Sequence, residues 1–91
     1  MKNLAALRKQ LDVIDRKLIA LVGQRLKIVR EIGALKKTLN LPVYQPRREK
    51  EILKNVVFRA KHAGMEPRVA IRLFQLLFRA SRKAQRDIKK P

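Results

Sequence analysis

The chain has 91 residues, 46% of them apolar, which favours one small folded domain over residues 1–91 and argues against a disordered chain. It has no cysteine and one histidine, which excludes disulfide scaffolds, thiol nucleophiles, cysteine-bound zinc and sites built from several histidines. Lys and Arg number 24 against 7 Asp and Glu, and the resulting charge of +17 points to anionic partners such as nucleic acid, an acidic membrane surface or a small polyanion.

The first helix is predicted over residues 4–39, where apolar residues recur at alternating spacings of three and four and form a heptad seam. Gly23 and Gly33 lie inside this pattern and suggest close helix approaches, and Pro42 follows its end. Such a helix is about 52 Å long, whereas a compact domain of this size is about 30 Å across. We therefore expect a second copy of the chain to cover the protruding seam in an interlocked helical homodimer.

Two shorter helices follow. Pro46 suits the first turn of the second helix, and Gly64 suits its C-terminal end. Pro67 begins the third helix, whose apolar stripe continues to Ile88, and residues 89–91 are expected to be a frayed end. No segment shows the alternation of a strand, so the predicted fold is all-α, with three helices in one domain.

Membrane and export signals are not visible in the sequence. No apolar run approaches the roughly 20 residues of a membrane span. Residues 1–8 lack the apolar region and the small-residue cleavage site of a secretory signal. The expected location is therefore the cytoplasm, with no membrane partner.

Polar residues occupy apolar positions of the first helix. The slot after Leu21 holds Arg25, and the seam resumes at Ile28. Lys36 lies eleven residues after Arg25, which places both on one helix face about 16 Å apart along the axis. Burying an uncompensated charge is expensive, so these cations require an anion, and two long side chains leaning together suit a small one.

The other two helices show the same anomaly. Glu49 lies on the apolar stripe of the second helix with Arg48 beside it, and Ser81 and Gln85 lie on the stripe of the third. Together with the two cations of the first helix, these side chains predict a cavity for a small, multiply anionic ligand that also carries a hydroxyl group.

Each candidate also has a purely structural explanation. Arg25 and Glu49 would form an internal ion pair, or Glu49 would be a surface acid near a helix N-terminus. Lys36 would be a solvated lysine. The other candidates would be ordinary core or surface polar residues: Arg8, Ser81 and Gln85.

Several motifs spread over the chain carry a family resemblance: Leu7-Arg8, residues 15–25, residues 33–36, the loop 41–43, Arg48-Glu49, the run Arg72-Leu73-Phe74-Gln75-Leu76, Ser81 and Gln85. In these motifs the chain resembles the all-helical (AroQ-type) class of chorismate mutases over essentially its whole length. The resemblance implies an intertwined dimer of three-helix subunits with two active sites. It also implies the Claisen rearrangement of chorismate to prephenate, on the route to phenylalanine and tyrosine, without a metal or an organic cofactor.

The resemblance also implies roles for the cations and for one amide. Arg25 would bind one substrate carboxylate, and Arg8 of the opposite subunit would bind another. Arg8 lies 17 residues before Arg25, about 25 Å along the same helix, which is too far to share a pocket within one subunit. Lys36 and Gln85 would donate hydrogen bonds to the ether oxygen, and Lys36 would also touch a carboxylate.

The remaining polar residues would form the other wall. Glu49 would accept a hydrogen bond from the ring hydroxyl, and Arg48 and Ser81 would complete the substrate-binding set. Gln45 stands where members of the class often have an acidic residue. If the side chain matters there, the hydroxyl end of the site is altered.

Three other functions compete with this interpretation. An isochorismate-pyruvate lyase would use the same fold, although Glu49 favours the mutase. A basic helical dimer would bind nucleic acid, but the basic residues are scattered around every helix and aromatic residues are few. The last is a catalytically silent dimer. A dianion site does not explain a charge of +17, which also predicts nonspecific binding of nucleic acid.

Overall fold

The computed structural model describes residues 3–88 of the chain. Within this range there are three α-helices and no strand: α1 (Leu4–Thr38), α2 (Pro46–His62) and α3 (Pro67–Arg86). The predicted all-α fold with a very long first helix is therefore confirmed. The frayed end expected for residues 89–91 lies outside the described residues.

Local sequence signals explain where the helices begin and end. The side chain of Asn3 caps α1 by accepting a hydrogen bond of 2.8 Å from a backbone N–H three residues later. Asn40, just after α1, has a φ of 60°, a left-handed conformation that asparagine tolerates better than most residues. Pro46 and Pro67 occupy the first positions of α2 and α3, and Gly64 takes a φ of 71° after α2.

The third helix is the central element, because it packs against both α1 and α2. A small core of Val56, Ala60 and Ala70 lies between α2 and α3, with Ile52 and Phe74 packed against it. On α1, the buried residues are Val29 and Gly33, both in its C-terminal half. The subunit's own packing therefore involves only that half of the long helix.

Gly33 allows α1 and the end of α3 to approach closely. A Cβ added at Gly33 would lie 2.7 Å from Cδ1 of Ile88 and 2.9 Å from Cγ of Gln85. The close approach predicted at Gly33 is thus confirmed. An added Cβ at Gly23 would meet no atom of residues 3–88 within 4 Å, so the subunit's own helices make no such approach there.

The subunit as a whole measures 58 × 28 × 14 Å, and the N-terminal half of α1 projects from the rest of it. Every described residue up to Leu21 is exposed, including Leu11 at 57% and Leu18 at 52%. In residues 3–88, no helix combines the length and the hydropathy needed to cross a bilayer.

Candidate active site

A cavity of about 390 Å³ opens between the C-terminal half of α1, the beginning of α2 and the end of α3. Apolar side chains such as Ile28, Ile32 and Ile52 form part of its wall. Seven of the eight site residues predicted from the sequence also line it: Arg25, Lys36, Gln45, Arg48, Glu49, Ser81 and Gln85.

Lys36 links α1 to α3 and to the α1–α2 loop at one end of the cavity. Its Nζ donates hydrogen bonds to Oε1 of Gln85 on α3, at 2.7 Å, and to the carbonyl oxygen of Val43 in the α1–α2 loop, at 2.9 Å. Burial lowers the pKa of Lys36, and the nearby carboxylate of Glu49 acts in the opposite direction. Because an ammonium group has three N–H donors, one remains for a ligand.

Arg25 bridges α1 and α3 further along the cavity. Its NH1 donates a 2.6 Å hydrogen bond to Oγ of Ser81, which in turn donates to the carbonyl oxygen of Leu77 at 2.7 Å. The Arg25 guanidinium also lies 6.0 Å from the ring centroid of Phe74. Burial and the positive charge of Arg48 lower the pKa of Arg25.

Arg25 does not form the ion pair with Glu49 that was one of the expectations, so that alternative is wrong. Within residues 3–88, neither Arg25 nor Lys36 forms a salt bridge with a carboxylate. The cavity therefore contains two half-buried cations that make no direct ion pair within residues 3–88.

Glu49 pairs instead with Arg82 of α3. The NH1 of Arg82 lies 2.5 Å from Oε2 of Glu49, and each side chain is 23% exposed. The Arg82 guanidinium also lies 5.2 Å from the ring centroid of Tyr44. Glu49 is thus held inside the cavity wall and is not a solvated surface acid.

Arg82 is a cavity residue that sequence reasoning missed. It lies four residues after Phe78 and three before Gln85, so it shares the inward stripe of α3. That spacing was the available signal. It was obscured because α3 also carries several arginines that are exposed.

The other two wall residues make weaker contacts. Arg48 lines the cavity, but its NH1 pairs with Glu51 at 2.6 Å and both side chains are 60% exposed. Gln45 precedes α2 at the capping position, although its side chain forms no capping hydrogen bond. Its amide is therefore not committed to the helix terminus.

Arg8 is the one predicted site residue that its own subunit does not bring to the cavity. It is exposed on the projecting half of α1 and does not line the cavity. The fold therefore places seven candidates together and leaves the eighth on a surface that no described residue covers.

The arrangement is suited to binding and to electrostatic stabilisation. Two cations on one face of α1 lie opposite a carboxylate, a hydroxyl and an amide carried by α2 and α3. Such a cavity can hold a flexible dianion in one conformation and stabilise negative charge that develops on it.

Comparisons with known proteins agree with this geometry. The chain is 28% identical over 87 residues to the chorismate mutase of Methanocaldococcus jannaschii, covering 96% of this chain and 88% of that protein. It is 36% identical over 73 residues to the bifunctional chorismate mutase/prephenate dehydratase of Aquifex aeolicus, covering 78% of this chain and 20% of that protein.

A solved structure has the same fold. The structure of a conserved hypothetical protein from Pyrococcus furiosus matches with a TM-score of 0.72 and 34% identity, covering 93% of this chain and 97% of that one. The family model of chorismate mutase type II matches residues 7–86, which is most of the chain. The chain therefore belongs to the chorismate mutase type II family.

Proposed function

We propose that this chain catalyses the rearrangement of chorismate to prephenate, in phenylalanine and tyrosine biosynthesis, in the cavity between its three helices. The observation that carries the proposal is the pair of cations, Arg25 and Lys36, which line the same cavity and form no salt bridge within residues 3–88. Membership of the family supports the same reaction.

The rearrangement requires positioning and charge stabilisation rather than a nucleophile. The substrate is a flexible dianion that must be held in a chair-like conformation while negative charge develops on the breaking ether oxygen. Lys36 is suited to that oxygen, because its two hydrogen bonds to Gln85 and Val43 fix its direction in advance. The amide N–H groups of Gln85 would supply a second donor there.

The remaining contacts would orient the substrate. Arg25, fixed by its hydrogen bond to Ser81, would bind a carboxylate through its other guanidinium N–H groups. Glu49 would accept a hydrogen bond from the ring hydroxyl, since Arg82 engages only Oε2 of its carboxylate. Arg48 and Gln45 would complete the wall at the hydroxyl end.

A second copy of the chain would complete the site. The apolar seam of α1 is exposed up to Leu21, and Arg8 lies in this stretch, about 25 Å along the helix from Arg25. Pairing of two such seams would cover the apolar residues and bring Arg8 of one subunit toward the cavity of the other. A symmetric homodimer with two shared sites follows from this arrangement.

The direct test is to incubate the purified protein with chorismate and, separately, with isochorismate, and to identify the products by NMR. We expect prephenate from chorismate. Salicylate and pyruvate formed only from isochorismate would assign the chain to the lyase reaction instead. A third outcome is turnover of neither compound, with salt-sensitive retention on DNA or RNA that persists in the Arg25→Ala variant. That result would refute the mutase proposal in favour of a nucleic-acid-binding dimer.

A further inference from the structure

A second cavity, of about 460 Å³, is lined by residues of α3, by Glu49 and by Tyr44 of the α1–α2 loop. The ion pair between Glu49 and Arg82 belongs to the walls of both cavities. The proposed reaction uses the first cavity and assigns nothing to the second.

The second cavity is strongly basic. Arg79, Arg82 and Arg86 line it, and their spacings of three and four residues place them on one face of α3 over about 10 Å of the helix axis. Within residues 3–88, Arg79 and Arg86 form no salt bridge. Glu49 is the single carboxylate of the wall, so positive side chains outnumber negative ones by three to one.

Like charges at these spacings repel one another, and an anion between them would relieve that repulsion. The planar forks of guanidinium groups match the oxygen atoms of phosphate and carboxylate groups better than any other side chain does. Gln75 and Tyr44 also line the cavity and contribute an amide and a phenol as neutral hydrogen-bond donors.

We infer that this second cavity is a binding site for a small oxyanion, a molecule bearing phosphate or carboxylate groups, and that Arg82 couples it to the first cavity. Arg79 and Arg86 are the primary ligands, because Arg82 is already engaged by Glu49. An anion in the second cavity competes with Glu49 for the Arg82 guanidinium and so loosens the carboxylate in the first. The coupling to turnover rests on the proposed function, whereas the binding itself does not.

The binding test is a calorimetric titration of the whole protein with inorganic pyrophosphate and, separately, with citrate, at constant ionic strength. Preference for one of the two identifies the source of the oxyanion as phosphate or carboxylate. The decisive variant is Arg79→Ala/Arg86→Ala. The matched control is Lys54→Ala/Lys61→Ala, which removes two exposed positive charges at the same spacing from α2, outside both cavities.

We expect saturable binding of one anion per subunit in the wild type, weakened about tenfold or more in the α3 double variant and unchanged in the α2 control. Two results would overturn the site. Equal weakening in both double variants would mean attraction to the overall positive charge. Undiminished binding in Arg79→Ala/Arg86→Ala would place the anion in the first cavity.

Turnover measurements then test the coupling. The oxyanion should raise the KM for chorismate in the wild type and have no such effect in Arg79→Ala/Arg86→Ala. Saturable binding with an unchanged KM would refute the coupling through Arg82. Because calorimetry detects binding without turnover, failure of the second site and failure of the mutase proposal give different results.

Discussion

The two halves of α1 share one helix and one heptad seam, yet they meet different surroundings. Every described residue up to Leu21 is exposed, whereas the half from Val22 to Thr38 is covered in part: it buries Val29 and Gly33, while its seam residues Ile28, Ile32 and Leu35 stay 44–57% exposed. Polar residues interrupt the seam in the covered half, at Arg25. The seam therefore serves two purposes: Ile28 and Ile32 of its C-terminal half line the open cavity, and its N-terminal half is an uncovered surface for assembly.

The two halves of α1 also differ in their contributions to the free energy of folding. Burying a leucine or isoleucine side chain contributes about 1.5–3 kcal/mol, so the exposed seam represents on the order of 10 kcal/mol that the subunit alone does not gain. In the covered half, the cost of half-burying Arg25 and Lys36 is offset by hydrogen bonds to Ser81, Gln85 and the Val43 carbonyl, which hold both cations ready for an anion.

The largest effect is expected in the covered half, from Lys36→Ala. Removing a preorganised donor to a developing negative charge should lower kcat by about 100- to 1000-fold, as measured by conversion of chorismate. Lys37→Ala is the matched control, because the Lys37 side chain is exposed and bonds the Ile88 carbonyl outside the cavity. Near-normal turnover in Lys36→Ala, with Lys37→Ala as the slower variant, would refute the assignment.

A subunit-mixing experiment tests both halves of α1 together, because Arg8 lies in one half and Arg25 in the other. Arg8→Ala and Arg25→Ala should each reduce kcat/KM about 100-fold, because each removes charged hydrogen bonds to a carboxylate. If one site takes Arg25 from one subunit and Arg8 from the other, an equal mixture of the two variants should regain about a quarter of the wild-type sites. Activity of the subunit-exchanged mixture measures this directly. No recovery, despite demonstrated exchange, would show that the sites are not shared.

The exposed half is tested by Leu18→Glu. A carboxylate at this position would be buried in the paired seams without a partner, and the dimer should weaken about 100-fold or more. Sedimentation over a range of protein concentrations measures the dissociation. Gln10→Glu adds the same charge at a polar position of the same half and should leave the dimer intact. If the wild-type chain sediments as a monomer at all concentrations, the proposal that the exposed seam forms a dimer interface is refuted.

Much of the fold could be predicted from the sequence, because the hydrophobic periodicity and the residues at helix ends act locally. The long helix, the starts at Pro46 and Pro67 and the close approach at Gly33 all follow from spacing and backbone conformation. The partners of the polar residues could not be predicted in the same way. They depend on how the helices rotate against one another, a tertiary property that the spacing within one helix does not determine.

Glu49 is the clearest example. Its stripe position correctly indicated an inward side chain, but several arginines were equally plausible partners in so basic a chain. The alternative, structural explanation paired Glu49 with Arg25, whereas in the structure Glu49 pairs with Arg82 and Arg25 donates to the hydroxyl of Ser81. In so basic a chain, it can be predicted from the sequence that a buried carboxylate will pair with a cation. Which cation it pairs with cannot be predicted in this way.

Arg82→Gln should have a smaller effect than the changes above. Glu49 would lose the partner that fixes its carboxylate, so the KM for chorismate should rise about tenfold with a smaller change in kcat. Arg82→Lys should recover part of the loss, since it restores the charge without the planar fork. Arg68→Gln, a change at an exposed arginine of α3 outside both cavities, serves as the control. An unchanged KM in Arg82→Gln would mean that Glu49 needs no positioning.

The smallest effect is a pH dependence that belongs to the covered half alone. Burial lowers the pKa of Lys36 below its usual value of 10.5, so kcat/KM should begin to fall at a lower pH than an exposed lysine would require. Stability should respond in the opposite direction. In the window between the native and the unfolded pKa, the unfolded chain binds more protons at Lys36, so this residue makes the free energy of unfolding rise with pH there.

Parallel measurements of kcat/KM and of denaturant unfolding over the alkaline range separate the loss of activity from the loss of folding. An activity loss that tracks unfolding at every pH would mean that alkali acts on the assembly rather than on Lys36. A decline of activity in a fully folded dimer would instead place the titrating group inside the cavity.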